Sequence, residues 1–464
     1  MSNKKRSRRQ FFGASAGVTA ALASALADPQ HAAAQSVGVK KADLPDLTIR
    51  EVKVYVADIS SFRHLNSGEP GEILSVVTNS GHEGNYTTGN RGRTANWLEW
   101  AKPVLLGKNI IDLLPSITAT TGTKETFGFS GGRSGAPTAG RGGANPPAGG
   151  GRSAAAATAA VLPAGAGGGG MGGGNRAGGT WPNFYTAAAE ICMWDALGKA
   201  VDRPIYKLLG GTKDRVLAYA SSQHLPNVED YVADALSAKE QGYKGYKIHP
   251  GGGQKRSGPA IPAYIGHIEE IKNIRKAVGD DFVLAHDPVQ RYNLFEALKV
   301  GRVLDDLNYA WFEDPIPTAD MDGLMELNRA LDLPLHIGEF LTSISGFAEY
   351  IHHGALDVAR LIADNVGGIS GSMRVGALAD AFNMECTPHN WGNPTDLAVH
   401  FQLELAMPNA YWFEMPHPVT FADRPYQPQF RIDKDGYVLA SKEPGLGCPI
   451  DFNALDKLLI RIDR

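Results

Sequence analysis

Val283-Leu284-Ala285-His286-Asp287, Tyr309-Ala310-Trp311-Phe312-Glu313 and Leu335-His336-Ile337-Gly338-Glu339 are three strand-like runs that each close on an acid. Asp287, Glu313 and Glu339 follow one another at near-equal intervals, about one strand plus one helix apart. In a parallel α/β barrel, successive strands carry such residues to the same rim. Three carboxylates gathered in a partly buried mouth repel one another, so either their pKa values rise or a divalent cation neutralises them. An all-oxygen set with room for water and substrate oxygens suits Mg²⁺, whereas Zn²⁺ prefers His and Cys. A single acid at a strand end reads as an ordinary solvated residue; three in this rhythm point to a metal site.

The chain of 464 residues is long enough for a full barrel and a second domain. Lys and Arg number 45 against 49 Asp and Glu, a net charge of -4, and no basic stripe is interleaved with aromatics, which argues against a nucleic-acid partner. The three cysteines, Cys192, Cys386 and Cys448, have neither metal nor redox spacing and read as core thiols. At the start, Lys4-Lys5-Arg6 and Ser7-Arg8-Arg9-Gln10-Phe11-Phe12 precede a mild Ala-rich apolar run, and Ala32-Ala33-Ala34 offers a cleavage site before Gln35. Residues 1–34 therefore resemble a twin-arginine export signal, which predicts a periplasmic protein with no membrane attachment after removal. The apolar run is too short and weak to serve comfortably as a membrane anchor.

From Leu47 the pattern is β, with strands predicted over Thr48 to Val56 and Ile73 to Thr78, a turn at residues 79–84, and helices over Ala95 to Leu106 and near Ile110 to Leu114. Residues 47–127 thus form an α+β opening. Between 128 and 179 lies a Gly, Ala, Pro and Ser tract that cannot bury enough apolar surface to offset backbone ordering, and it is expected to be a disordered insertion. No strand leads into it and no Lys-Ser/Thr pair follows, so it makes a poor phosphate cradle. Helical spacing returns at Ala189, Cys192, Met193, Ala196 and Ala200 within a segment of 180–213. A βα rhythm then runs over 214–414: strands at Val216 to Ser221 and Tyr246 to His249, a helix started by Asn227 with Asp230, another capped by Asn293 with Glu296, and further strand ends near Glu313, Glu339, Asp364, His389 and Glu414.

The stretch Ala189-Glu190-Ile191-Cys192-Met193-Trp194-Asp195 through Leu208-Leu209-Gly210-Gly211 resembles the helix that leads into the barrel in the enolase superfamily, nearest to its mandelate racemase-like branch. The strand-end residues agree with that family in type and order. The resemblance implies an α/β fold: a modified (β/α)7β or (β/α)8 TIM barrel, with an α+β capping domain completed by residues 415–464. It implies Asp287, Glu313 and Glu339 as ligands of Mg²⁺. It implies acid/base work for Lys247 and His249, where the family usually has Lys-x-Lys and this chain has Lys247-Ile248-His249. His249 is open as base, acid or substrate hydrogen-bonder. Asp364 and His389 resemble the family's His-Asp dyad, and Glu414 the carboxyl that donates or shares a proton with the substrate.

The substrate so implied is a small carboxylate with a removable α-proton, most simply a sugar acid. Dehydration to a 2-keto-3-deoxy acid is the first expectation, with racemisation or epimerisation, and cycloisomerisation, as alternatives from the same enolate. A non-catalytic binding protein on a barrel scaffold would show a missing ligand or a broken dyad, which the sequence does not. Phe62-Arg63-His64, His82 to Tyr86 and His224 are candidate specificity contacts. A homo-oligomer is the expected assembly.

Overall fold

The computed structural model describes residues 45–58, 71–87, 96–121, 181–251, 262–391, 394–418 and 430–464. The export signal, the Gly/Ala-rich insertion and Phe62-Arg63-His64 lie outside the described residues. No helix among the described residues is long and apolar enough to cross a membrane.

Four strands, β1 (Ile49–Ala57), β2 (Gly71–Thr78), β3 (Glu83–Tyr86) and, from the far end of the chain, β13 (Leu459–Asp463), form an antiparallel sheet in the order β13-β1-β2-β3. The C-terminal strand pairs directly with β1, Val54 opposite Asp463. The helix Trp181–Ala200 packs on this sheet and is apolar nearly all round, because the barrel takes its other side. Gly84 makes that approach possible: a Cβ there would sit 1.8 Å from the Cys192 carbonyl oxygen.

The second sheet is the barrel wall. Its parallel strands are β4 (Arg215–Ser222), β5 (Gly245–Ile248), β6 (Val283–His286), β7 (Trp311–Glu313), β8 (Leu335–Ile337), β9 (Val358–Ala359), β10 (Glu385–Cys386) and β11 (Trp412–His417). They run in sequence order from β4 to β10, and β11 returns to pair with β4 in parallel, as the last strand of a closing barrel does. At the seam the Cys386 N–H donates to the Asn409 carbonyl at 3.1 Å. The short strand β12 (Tyr437–Leu439) adds antiparallel to the first half of β4. Each wall strand from β4 to β10 is followed by a helix, and among the described residues none follows β11 before β12, so the barrel is of the (β/α)7β form.

Alternation decides which side chains enter the barrel. Phe312 and Leu284 face outward into the main core, whereas Tyr219, Ala285 and Trp311 form a separate inner cluster. Trp311 meets Tyr219 edge-on at 5.1 Å and stacks on His336 at 4.9 Å, closing the barrel floor beneath the strand ends. The helix Leu294–Asp306 starts with a full capping box, in which Asn293 accepts from Glu296 N and Glu296 accepts from Asn293 N. The cap expected at Asn227 is absent, since its amide turns to the Asp230 carboxylate instead. All three cysteines are free and buried.

One outer-layer acid should tune stability with pH. Glu270, buried on the helix Ala263–Val278 with its Oε2 unpartnered, is pushed up to about 7 by burial and then by the charge of Glu269. The folded state therefore holds this proton more tightly than the unfolded chain does. Its stabilising effect is complete below the ordinary carboxylate range and is lost as pH climbs through about 7. Glu270→Gln should gain about 1–3 kcal/mol on the parent between pH 5 and pH 8. Urea unfolding at the two pH values measures this, and an equal shift at both would refute it.

Candidate active site

The inward positions above the aromatic floor carry charge. Lys247 on β5 is fully buried, and its ammonium donates to Asp287 Oδ2 at 3.0 Å and Glu313 Oε1 at 2.8 Å while lying 2.8 Å from Glu414 Oε1. Arg360, immediately after β9, donates from Nε to Glu313 Oε1 and from Nη2 to Glu414 Oε2. Glu414 also accepts from Ser221 Oγ at 2.6 Å and from the Asn390 N–H at 2.9 Å. Burial and the neighbouring Arg360 work against the charge on Lys247, yet Glu313 and Glu414 outweigh them and hold it well above the usual ammonium range. Lys247 braces these three carboxylates as an ammonium.

Burial would raise Glu414, but Arg360 and then Lys247 prevail and hold its carboxyl well below the usual range. The same cations leave Glu313 near balance: burial raises it, Arg360 and Lys247 lower it, and it comes to about 7.

His249, directly after β5, and His389, on the loop after β10, are separated across the barrel closure by β4 and β11. The Ser222 carbonyl can only accept, so His249 Nδ1 donates to it at 2.7 Å, and Nε2 faces Asp287 Oδ2 at 2.9 Å. Trp391 packs edge-on against the His249 ring at 4.7 Å. His389 Nε2 lies 3.1 Å from Glu339 Oε2, and burial pulls this imidazole well below its ordinary range, so it is neutral. Burial, then Asp287 and Glu313, push Glu339 well above the usual carboxylate range.

The expected His-Asp dyad is not the arrangement found. Asp364 lies in the helical turn Ala363–Val366, because β9 ends at Ala359, and its Oδ1 accepts from the hydroxyl of Tyr86 at 2.9 Å. His389 turns to Glu339. Glu414 likewise falls inside β11 and not at its end, opposite Tyr219 of β4. Tyr86, on the capping sheet, also donates to Asp396 at 3.2 Å, which brings the cap onto the ends of the sixth and seventh wall strands. His82 stays within the cap, against Ser80, and His224 bonds the Pro250 carbonyl beside Arg291.

Two groups went unread in the sequence. Arg360 was signalled by a charge inside the apolar run Val358-Ala359-Arg360-Leu361-Ile362, since a buried Arg must be paired. Asp314, next to Glu313, is fully buried with neither carboxylate oxygen bonded to a described residue.

Among the described residues no three His, Cys, Asp or Glu stand together as an assembled metal site. Asp287 contacts Lys247 and His249, and Glu313 contacts Lys247 and Arg360. Even so, the donor set fits a hard divalent cation. Asp287, Glu313, Asp314, Glu339 and Glu414 are buried carboxyls facing only Lys247 and Arg360 as buried cations, an anionic excess of the kind such an ion neutralises.

Comparison with known proteins agrees with this architecture. Residues 230–454 match the family model described as enolase C-terminal domain-like. The chain is 30% identical over 270 residues to the arabinonate dehydratase of Saccharolobus solfataricus, covering 57% of this chain and 69% of that relative. It is 30% identical over 284 residues to the D-gluconate dehydratase of Thermoproteus tenax, covering 58% of this chain but only 55% of that protein's length. The solved D-glucarate dehydratase from Agrobacterium tumefaciens, complexed with magnesium, shares the fold with a TM-score of 0.67 at 24% identity, covering 90% of this chain and 100% of that one. The chain belongs to the enolase superfamily. These curated relatives are acid-sugar dehydratases.

Removing Arg360 would leave Glu313 and Glu414, buried together, with Lys247 as their one shared cation among the described contacts. Arg360→Met is expected to cost about 3–5 kcal/mol in chemical denaturation, with Arg360→Lys recovering part of it. A variant as stable as the parent would show that the guanidinium is not needed to hold this layer.

Proposed function

We propose that this chain is a Mg²⁺-dependent acid-sugar dehydratase, removing the proton α to a sugar-acid carboxylate and expelling the β-hydroxyl to give a 2-keto-3-deoxy acid. The observation that carries the reading is the placement of two imidazoles, each with Nε2 on a carboxylate of the acidic rim: His249 on Asp287 and His389 on Glu339. The dehydratase activity of the curated relatives supports the same reaction class.

Asp287 and Glu339, with Glu313 beside them, would hold the ion, which when bound supplies positive charge to the substrate carboxylate as the α-proton leaves. The chain's own groups do the rest. His249 has its tautomer set by Ser222, so Nε2 is the atom that exchanges a proton with the substrate. His389, neutral in its buried setting, is able to accept one from the other flank. Lys247 and Arg360 keep Glu313 and Glu414 in place and resist collapse of the like-charged rim. Loss of the β-hydroxyl needs a proton on the departing oxygen, and the imidazole that has just been protonated is the group suited to return it.

Two flanking imidazoles also suit 1,1-proton transfer, so epimerisation is the second reading. Purified protein incubated with Mg²⁺ and a panel of aldonic and aldaric acids should release 2-keto-3-deoxy product. His389→Asn and His249→Asn should each lower turnover about 10²–10⁴-fold. Exhaustive chelation should abolish turnover and Mg²⁺ should restore it. Solvent deuterium entering the α-position with no loss of hydroxyl would replace dehydration by epimerisation, and full turnover in chelator would remove the metal.

Export by the twin-arginine route is part of the same proposal, resting on Arg8-Arg9 and the Ala32-Ala33-Ala34 site. Protein recovered from the periplasm should begin at Gln35, and Arg8→Lys with Arg9→Lys should leave it in the cytoplasm. An intact N-terminus on cytoplasmic protein would overturn this.

A further inference from the structure

Arg291, in the loop that leads from β6 to the helix Leu294–Asp306, is an exposed cation at the barrel rim. Its Nη1 donates to the Pro250 carbonyl at 2.7 Å, and its Nη2 lies 3.4 Å from His224 Nε2. The Pro250 carbonyl can only accept, so His224 Nδ1 donates to it at 3.1 Å and Nε2 is left with the lone pair that faces Arg291. Burial, then the charges of His249 and Arg291, pull His224 down to about 4, so the ring is neutral. Both partners of the guanidinium are therefore uncharged, and it forms no ion pair with a described residue. Lys247 and Arg360 differ, since their charges are already matched by Glu313 and Glu414.

These contacts join the ends of three wall strands, for His224 follows β4, Pro250 follows His249 after β5, and Arg291 follows β6. The His224 ring meets the His249 ring edge-on at 5.7 Å, and His249 Nε2 faces Asp287. An acid held by one end at the rim, and extended along this flank, passes His249 and then His224 and comes to Arg291. Gln223, the residue before His224, has a buried amide nitrogen with no partner among the described residues, a donor suited to a hydroxyl on the way. A guanidinium has five N–H donors in one plane, and the Pro250 and His224 contacts use two of them. The remaining edge matches a carboxylate, and the neutral partners leave its charge for one. We infer that Arg291 is a specificity residue that pairs with the far carboxylate of a diacid, which makes the substrate class aldaric and not aldonic. The inference rests on the dehydratase reading above and narrows it.

The test is kcat/KM in Mg²⁺ for aldaric acids and the aldonic acids of the same configuration, galactarate against D-galactonate and D-glucarate against D-gluconate. It compares the full-length parent with Arg291→Met and with Arg329→Met, an exposed cation on the helix Met321–Ala330. The parent should favour the diacid of the better pair by about tenfold or more. Arg291→Met should lower that preference by about tenfold or more, the loss falling on the diacid, and Arg329→Met should leave it as in the parent. Equal losses on both acids would make Arg291 a brace for Pro250 and His224 only and overturn the inference. So would a parent that turns over the aldonic acid as well as the diacid, and in either case the dehydratase reading stands. Turnover of no acid in the panel would defeat the dehydratase reading, and this inference with it. If Arg291→Met does not fold, Arg291→Gln is judged by the same criteria.

Discussion

The buried ammonium of Lys247 is the interaction on which the barrel mouth depends. It touches three carboxylates carried by three different wall strands, Asp287 after β6, Glu313 at the end of β7 and Glu414 within β11. Arg360, immediately after β9, repeats two of those contacts, so the two cations cross-link the inside of the barrel. Buried ions cost several kcal/mol each to desolvate, and such a layer persists only when every charge finds an opposite one at hydrogen-bond distance. Glu313 and Glu414 meet that condition. Glu339 and Asp314 do not meet it with the protein's own cations, and they are the groups driven toward the protonated form. The layer is therefore balanced on the Lys247 side and anionic on the other.

That asymmetry follows from the fold beneath it. Trp311, His336 and Tyr219 fill the barrel floor, and strand alternation lifts the next inward residue of each strand to the level of the charges: Glu313 above Trp311, Lys247 beside Ser221, Glu414 above Trp412. At the rim the backbone leaves regular strand geometry. Gly338 adopts φ +136°, and a Cβ there would meet the Arg360 carbonyl oxygen at 2.6 Å and the Phe347 ring, so the residue before Glu339 must be a glycine. Val289, Gln290 and Asp314, at positive φ, lie beside Asp287 and Glu313.

Much of this was legible in the sequence because it depends on period and spacing. The βα rhythm, the acids after β6, β7 and β8, and the inward pairing of Lys247 with His249 all follow from a period of two, and Asn293 with Glu296 names its own helix start. What resisted reading depends on where very short strands stop. β9 and β10 are two residues each, so Asp364 falls into a helical turn facing Tyr86 and His389 falls on a loop facing Glu339, where longer strands would have set both at a common rim. Arg360 was readable in principle as a charge inside an apolar run, but which acids it joins is decided by barrel closure, a contact of high sequence separation. Asn227 shows the opposite error, a good capping residue whose amide found a nearer carboxylate.

The distribution of charge also decides which groups are left for chemistry. Lys247 is committed to three acids and keeps its proton, and Glu414 is committed to two cations and has none. Both stand in ionic contacts that link the layer at the barrel mouth. The imidazoles differ in kind. Each touches the layer at a single carboxylate; His249 is also held through Nδ1 to the Ser222 carbonyl, and the backbone N–H of His389 donates to the Leu361 carbonyl. A proton gained or lost at either Nε2 changes one contact and leaves the Lys247 and Arg360 bridges intact. Whatever cation satisfies Asp287 and Glu339 would compete for the oxygens these two nitrogens now face, so neutralising the acidic rim and freeing the imidazoles are the same event.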